Sequence, residues 1–137
     1  MNVVLATTNL HKIREFRKML KDLKGIEVLS LSQFADYVQP EETGKTFAEN
    51  AEIKALHAAK TLQCLVIADD SGLVVPALDG LPGVLSRRFA GEDATDLENR
   101  KKLLKSMENL PDGGRGAYFE CALALASPEG LIKAVSA

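Results

Sequence analysis

The sequence has little that would point to a secreted, membrane-bound or disulfide-stabilised protein. It contains no Trp, only 5% aromatic residues and two cysteines among 137 residues. No apolar stretch approaches the ~20 residues of a membrane span, and the N-terminus lacks the charged and then apolar pattern of a signal peptide. Cys64 and Cys121 each lie inside an apolar run, which predicts buried thiols. We therefore expect a cytoplasmic protein without membrane contact.

Charge of one sign is also lacking. The net charge is −2, and Lys and Glu are interspersed without a basic stripe. This distribution argues against binding to nucleic acid, although a single nucleotide remains a possible ligand. A chain of this length can bury about two thirds of its unfolded surface in one core. With no repeat or internal boundary visible, we predict a single α/β domain over residues 1–137.

The N-terminal part has the pattern of an α/β sheet. Residues 2–6 are typical of a buried strand, and apolar residues at steps of three and four predict an amphipathic helix from Leu10 to Leu23. A second strand is expected at 26–29. The polar segment 30–45 has no clear period, which predicts a long loop, and such loops are usually functional or disordered.

Two further helices have clear start signals. Thr46 with Glu49, and Thr95 with Glu98, have the spacing of a capping box, in which the first residue caps the helix and the fourth reaches back to it. Both are followed by apolar residues at helical spacing. We therefore predict helices beginning at these two threonines.

The remaining strands are expected between and after these helices. The apolar run 64–68 predicts a strand that ends at the acidic pair, followed by a short extended segment at 73–75. Segments 117–126 and 131–136 flank a Ser-Pro-Glu-Gly turn, which predicts a hairpin.

Asp69 and Asp70 place paired negative charge at that predicted strand end. In open α/β sheets, the carboxyl ends of the strands are where ligands bind. Adjacent like charges are unfavourable unless something neutralises them, and carboxylate oxygens suit Mg²⁺, which commonly binds together with phosphate. An exposed acidic turn has the same composition, so both interpretations stay open.

The turn after the first strand contains Thr7, Thr8 and Asn9, with Lys12 just inside the predicted helix. Free backbone N–H groups, hydroxyls, the helix dipole and an ammonium together favour an anion. The alternative is that Thr8 or Asn9 merely caps the helix and Lys12 is solvated.

Lys54 falls on the apolar face of the second predicted helix, between Phe47 and Ala58 in angle. Its ammonium either extends along the surface to water or reaches an anionic ligand over the sheet edge. Glu41 and Glu42 precede this helix and would come near the acidic pair if the loop folded back, although exposed loop acids are more common.

Five short motifs occur in a fixed order along the chain. They are Ala6–Lys12, Glu41–Gly44, Phe47–Ala51 with Lys54, Ala68–Leu73, and Gly80–Gly83 with Ser86 and Arg88. Their order and spacing closely resemble the inosine/xanthosine triphosphate pyrophosphatase family. The resemblance extends from Met1 to Ala137.

The resemblance implies an elongated mixed α/β sheet flanked by helices, of which this chain would be the N-terminal two thirds. It implies a homodimer that uses Mg²⁺ to hydrolyse nonstandard purine nucleoside triphosphates, such as ITP, dITP and XTP, to monophosphate and pyrophosphate.

The resemblance also implies roles for individual residues. Thr7, Asn9 and Lys12 would hold the triphosphate together with Thr8, Lys54 would neutralise phosphate charge, Ser71 would touch the substrate, Glu41 and Asp70 would bind Mg²⁺, and Asp70 would take the proton of the attacking water. The choice between Glu41 and Glu42 as metal ligand stays open.

One departure concerns the base. Relatives carry Phe-Gly-Tyr-Asp, lysine and Ser-His-Arg elements beyond the point that corresponds to Ala137, and this chain has none of them. Base selectivity is therefore undetermined. Two alternatives remain: a non-catalytic nucleotide-binding or receiver-like signalling module, and a related hydrolase that acts on modified pyrimidines.

Overall fold

Five strands form one mixed sheet in the computed structural model, which describes residues 1–137. The strands are β1 (Asn2–Leu5), β2 (Glu27–Ser30), β3 (Leu65–Val74), β4 (Tyr118–Ser127) and β5 (Gly130–Ser136), in the spatial order β2-β1-β3-β4-β5. The first three strands of this order are parallel, whereas β4 and β5 join antiparallel. The predicted α/β fold and the C-terminal hairpin are confirmed.

Three α-helices accompany the sheet. They are α1 (Leu10–Leu20), α2 (Phe47–Leu62) and α3 (Asp96–Met107), and short 3₁₀ helices cover 31–33, 76–78, 83–88 and 112–114. Thr95 and Glu98 form the predicted capping box of α3. Thr46 caps α2 by accepting from Glu49 N, while the Glu49 carboxylate accepts from Lys45 N instead of Thr46 N. Helix α1 ends three residues before the predicted Leu23.

The core lies between α2 and one face of the sheet. Small side chains allow the helix backbone to approach the strands closely, because a layer of alanines faces a layer of alanine and valine. These fully or almost fully buried residues are Ala51, Ala55, Ala58 and Ala59 on α2, with Val66, Ala122, Ala124 and Ala126 beneath them. This close packing fixes the distance between α2 and strands β3 and β4.

Strand β3 continues through the acidic pair, so the predicted strand end at Asp69 was wrong. Pairing with β4 runs without interruption from Val66 opposite Ala126 to Val74 opposite Tyr118. These antiparallel hydrogen bonds keep the backbone extended where β1 no longer supports it, because β1 ends at Leu5 opposite Ile67. The acidic pair therefore lies within a strand that extends beyond its parallel neighbour.

The two cysteines are free, with Cys64 partly buried and Cys121 exposed. The prediction of a buried thiol was therefore wrong for Cys121. Its neighbour Ala122 points toward α2, and alternation along the strand puts Cys121 on the opposite, less covered face. Separately, none of the helices has the length and apolar character that crossing a membrane requires.

Gly72 packs tightly against the segment that follows β3. A Cβ at this position would lie 2.5 Å from Ser86 Oγ, 2.6 Å from Gly83 O and 2.9 Å from a ring carbon of Phe47. We expect Gly72→Ala to lower the free energy of unfolding by about 1 to 3 kcal/mol, the usual effect of overpacking. The measurement is urea denaturation, with Gly116→Ala as the control because a Cβ there meets nothing within 4 Å. Equal midpoints for the two variants would contradict the prediction.

Candidate functional site

A small polar cavity of about 90 Å³ opens where β1 stops and β3 continues. The turn after β1, the loop before α2, helix α2 and strand β3 each contribute to its lining. Of the residues singled out from the sequence, it is lined by Thr7, Thr8, Asn9, Lys12, Glu42, Lys54, Asp69, Asp70 and Ser71. These residues lie up to 64 positions apart in the chain. They come together because β3 extends beyond the end of β1.

The turn between β1 and α1 is held by its own side chains. Asn9 is the N-cap of α1, and its Oδ1 accepts from the backbone N–H groups of His11 and Lys12 at 3.0 and 3.3 Å. Thr7 Oγ1 accepts from Asn9 N at 3.1 Å. The capping role considered for Asn9 is confirmed, and the turn presents its hydroxyls and the helix N-terminus to the cavity.

Lys12 is not merely solvated. Its ammonium forms an ion pair with Asp69 Oδ2 at 2.5 Å and lies 3.4 Å from Ser71 Oγ. Asp69 and Ser71 are two positions apart in β3, so both point to the same face of the sheet. This face is the one opposite Asp70, which explains how two adjacent aspartates are accommodated without placing their carboxylates side by side.

Asp70 points toward α2 and is 9% exposed. The pKa of this carboxyl is raised from 3.8 to about 6, mainly by burial and then by the nearby Glu42 carboxylate, whereas Lys54 and Asn50 act in the opposite direction. Its Oδ2 is buried without a hydrogen-bond partner. The interpretation of the acidic pair as an exposed turn is therefore wrong, and Asp70 keeps an oxygen available for a proton or a cation.

Lys54 reaches the cavity rather than bulk water. Its side chain is 11% exposed, and its ammonium lies 3.4 Å from Glu42 Oε1. Since both Lys54 and Asp70 line the cavity, the buried ammonium is in position to compensate an anion bound there.

The loop before α2 brings Glu42 to the cavity, whereas Glu41 is exposed and does not line it. Glu42 is held from a second side by Arg88, whose Nη1 lies 3.9 Å from Glu42 Oε2 and whose Nη2 donates to the Glu42 carbonyl at 3.4 Å. Of the two loop glutamates, Glu42 is therefore the one that lines the cavity together with Asp70.

Asn50 explains why the loop adopts this path. Its side chain is fully buried, and its Oδ1 accepts from Gly44 N at 2.7 Å. A Cβ on Gly44 would lie 2.6 Å from this oxygen, so glycine is needed there for the loop to approach the helix. No role was predicted for Asn50 or Arg88. The sequence feature that could have identified Asn50 is its position as a polar residue on the flank of an apolar helix face.

The same cavity is reached by Arg87, which the sequence interpretation also passed over. Counting charged side chains, three cations (Lys12, Lys54 and Arg87) face three carboxylates (Glu42, Asp69 and Asp70) around a space lined by hydroxyls and a helix N-terminus. Such a set can bind a polyanion through its cations and helix amides, and its Asp70 carboxyl, with a pKa of about 6, can take part in proton transfer.

The chain is similar to known proteins over nearly its whole length. The sequence model of the Ham1 family matches residues 3–136. A dITP/XTP pyrophosphatase of Protochlamydia amoebophila is 61% identical over 136 residues, which is 98% of this chain and 68% of that protein. One from Chlamydia abortus is 52% identical over 131 residues, covering 95% of this chain and 64% of that protein.

Solved structures give the same result. The Ham1 protein of Staphylococcus aureus superposes with a TM-score of 0.86 at 40% identity, covering 99% of this chain and 68% of that one. A HAM1 protein from Coxiella burnetii gives 0.88 at 40% identity, covering 99% and 69%. The chain spans about two thirds of the length of the curated relatives it matches. With the family model matched over nearly its whole length and the fold shared with two solved members, this chain belongs to the Ham1 family.

Proposed function

We propose that this chain hydrolyses nonstandard purine nucleoside triphosphates, such as ITP, dITP and XTP, to the nucleoside monophosphate and pyrophosphate. The observation that carries the proposal is the buried Asp70, with its unpartnered oxygen and raised pKa, across a polar cavity from the Thr7–Lys12 turn. The names of the relatives, dITP/XTP pyrophosphatase, supply the reaction and the substrate class.

The phosphate chain is bound by groups that already surround the cavity. The turn of Thr7, Thr8 and Asn9 contributes hydroxyls and the N-terminus of α1, and Ser71 contributes a hydroxyl from β3. Lys12 and Lys54 neutralise phosphate charge, and each can exchange its present carboxylate partner for a phosphate oxygen. Phosphoryl transfer depends mostly on such positioning and charge neutralisation, so no covalent nucleophile is required.

Asp70 accepts the proton of the attacking water. A general base works best when its pKa lies near the operating pH, and burial has moved the pKa of Asp70 to about 6. The water oxygen bonds to phosphorus as the bond to the bridging oxygen breaks, and pyrophosphate leaves with the electron pair. Lys54 supports this role, because its ammonium lowers the pKa of the Asp70 carboxyl and so favours the ionised form.

The donor set fits a hard divalent cation. Glu42 and Asp70 would hold Mg²⁺, since both supply carboxylate oxygens and Asp70 Oδ2 has no other partner. No group of three or more His, Cys, Asp or Glu side chains is gathered into a metal site in this chain, so phosphate oxygens and water would complete the coordination. When bound, the ion would neutralise phosphate charge and lower the pKa of bound water.

We also propose that residues 1–137 form the phosphate-binding part of the family fold, corresponding to about two thirds of its relatives' length. Selectivity for the base would then depend on residues other than 1–137. The residues that line the polar cavity lie in the turn after β1, in α1, α2 and β3, and in the segments before α2 and after β3, which supports this proposal.

We expect the protein to release pyrophosphate, and not orthophosphate, from ITP and XTP in the presence of Mg²⁺. The two products are measured separately, by coupled enzymatic assay and by phosphorus NMR, and EDTA is expected to stop the release. Calorimetry with Mg·ITP runs in parallel. Release of orthophosphate alone would contradict the proposed reaction, and binding of Mg·ITP without any release would favour a nucleotide-binding module.

A further inference from the structure

Arg87 is the one cation lining the cavity that no carboxylate in the chain neutralises. Lys12 pairs with Asp69, and Lys54 lies 3.4 Å from Glu42. The neighbouring Arg88 also turns to Glu42, whereas the exposed Arg87 side chain forms no ion pair and no hydrogen bond. A guanidinium presents several N–H donors in a planar fork that matches phosphate oxygens. Arg87 is therefore free to bind an anion that enters the cavity.

The backbone at Arg87 is held in place although its side chain is free. The buried Asn99 donates from Nδ2 to the Arg87 carbonyl at 2.9 Å. On the other side, Ser86 Oγ donates to Gly83 O at 2.7 Å and accepts from Leu73 N in β3 at 3.0 Å. The guanidinium thus extends from a point fixed relative to the strand that carries Asp70. Binding of an anion by this guanidinium therefore requires the ordering of one side chain and not of a whole chain segment.

Arg87 also marks a boundary between two spaces. Beside the small polar cavity lies a groove of about 600 Å³, a volume within the range of small-molecule sites. The two share Asn9, Lys12, Ser71 and Arg87, and the groove continues to the apolar side chains of Phe89 and Leu103. Of the two cations at this boundary, Lys12 is paired with Asp69 and Arg87 is unpaired.

The chemistry of the substrate matches this division. In a nucleoside triphosphate, the α-phosphate joins the nucleoside to the two phosphates that leave as pyrophosphate. A phosphate chain in the polar cavity and a nucleoside in the adjoining groove would place the α-phosphate at their boundary. A second cation there would bind its non-bridging oxygens as negative charge is redistributed during bond breaking.

We propose that the Arg87 guanidinium binds the α-phosphate of the substrate at the boundary between the polar cavity and the groove. This inference rests on the proposed function, since it assumes that a nucleoside triphosphate is the substrate. It assigns Arg87 a task different from that of Lys54, which lines only the polar cavity.

The test compares ligands that contain or lack an α-phosphate. Arg87→Ala is expected to weaken the binding of inosine monophosphate about tenfold and to lower kcat/KM for ITP by a similar factor, the usual effect of losing a charged hydrogen bond. Binding of inorganic pyrophosphate with Mg²⁺ is expected to stay within about twofold of the wild-type value, because pyrophosphate occupies only the inner cavity. Arg87→Lys is expected to be intermediate, since it keeps the charge without the fork.

Arg14→Ala serves as the matched control, because Arg14 is exposed on α1 and lines neither space. It removes the same charge and is expected to behave as the wild type. If the wild type binds and hydrolyses ITP and Arg87→Ala does so equally well, this inference is overturned and the proposed function stands. An equal loss of pyrophosphate binding would overturn the assignment to the α-phosphate. Absence of ITP binding in the wild type would overturn the proposed function, and this inference with it.

Discussion

Asp70→Asn is expected to reduce pyrophosphate release by a factor on the order of 10² to 10⁴, the range typical of removing a general base. The amide has nearly the shape of the carboxylate and cannot accept the proton of water. The residue lies within β3 and its carboxyl is buried beside Lys54, so the substitution changes the chemistry of the cavity with little change in packing. The measurement is the initial rate of pyrophosphate release with Mg·ITP.

The free energy of unfolding of the same variant is expected to depend on pH differently from that of the wild type, and this measurement also shows that the variant is folded. The Asp70 pKa is about 6 in the folded protein against 3.8 for a free aspartate carboxyl, so burial favours the protonated form. The contribution of Asp70 to stability is therefore fully present below pH 3.8 and is lost as the pH rises through about 6. Asp70→Asn avoids this loss, and above pH 6 it should be more stable than the wild type by about 1 to 3 kcal/mol.

Asp36→Asn is the control for both measurements, because Asp36 is exposed and lines none of the spaces described above. It should have wild-type turnover and a stability difference that does not follow the titration of Asp70. An Asp70→Asn protein that is folded and turns over at the wild-type rate would remove Asp70 from the mechanism. A stability difference that is the same at pH 4 and pH 8 would contradict the raised pKa.

Lys54→Met is expected to weaken the binding of Mg·ITP by about 10- to 100-fold, as expected for the loss of a charged hydrogen bond to phosphate. Methionine retains most of the apolar stem of Lys54, which is one of the buried residues of α2, so the change isolates the ammonium. Its loss also leaves Glu42 without the nearer of its two cations. Because Lys54 lowers the pKa of Asp70, we further expect the acid limb of the pH–rate profile to move to higher pH.

Lys60→Met is a matched control on the same helix, since Lys60 is exposed in the last turn of α2. Calorimetry with Mg·ITP measures affinity for both variants, and rates between pH 5 and 8 measure the acid limb. Equal affinities of the two variants would show that Lys54 does not contact the phosphates. An acid limb that stays in place would show that its ammonium does not influence the base.

The expected homodimer and the expected cytoplasmic location stay predictions, because each concerns the protein in solution or in the cell. The roles of Thr7, Thr8, Asn9, Lys12 and Ser71 are likewise proposals. What the structure adds for these five residues is that they line one cavity together with Asp70.

The sequence by itself determined the local elements. The capping box of Thr95 and Glu98 depends only on residues three positions apart, and the small apolar face of α2 is visible as a period of three and four. The order of the five motifs likewise identified the family before the fold was known. The helix signals depend on neighbours within one or two turns, and the order of the motifs is counted along the sequence, so neither requires knowledge of the fold.

Only the tertiary structure decided how the charged groups meet. Asp69 and Asp70 occupy opposite faces of one strand because pairing with β4 extends β3 beyond the point where a local pattern predicted its end. Glu42 rather than Glu41 lines the cavity because Asn50 and Arg88 hold the loop, and the Lys54 ammonium stays inside because Glu42 lies there. Each outcome depends on contacts between residues distant in sequence and on strand register, and no local pattern of residue types records either.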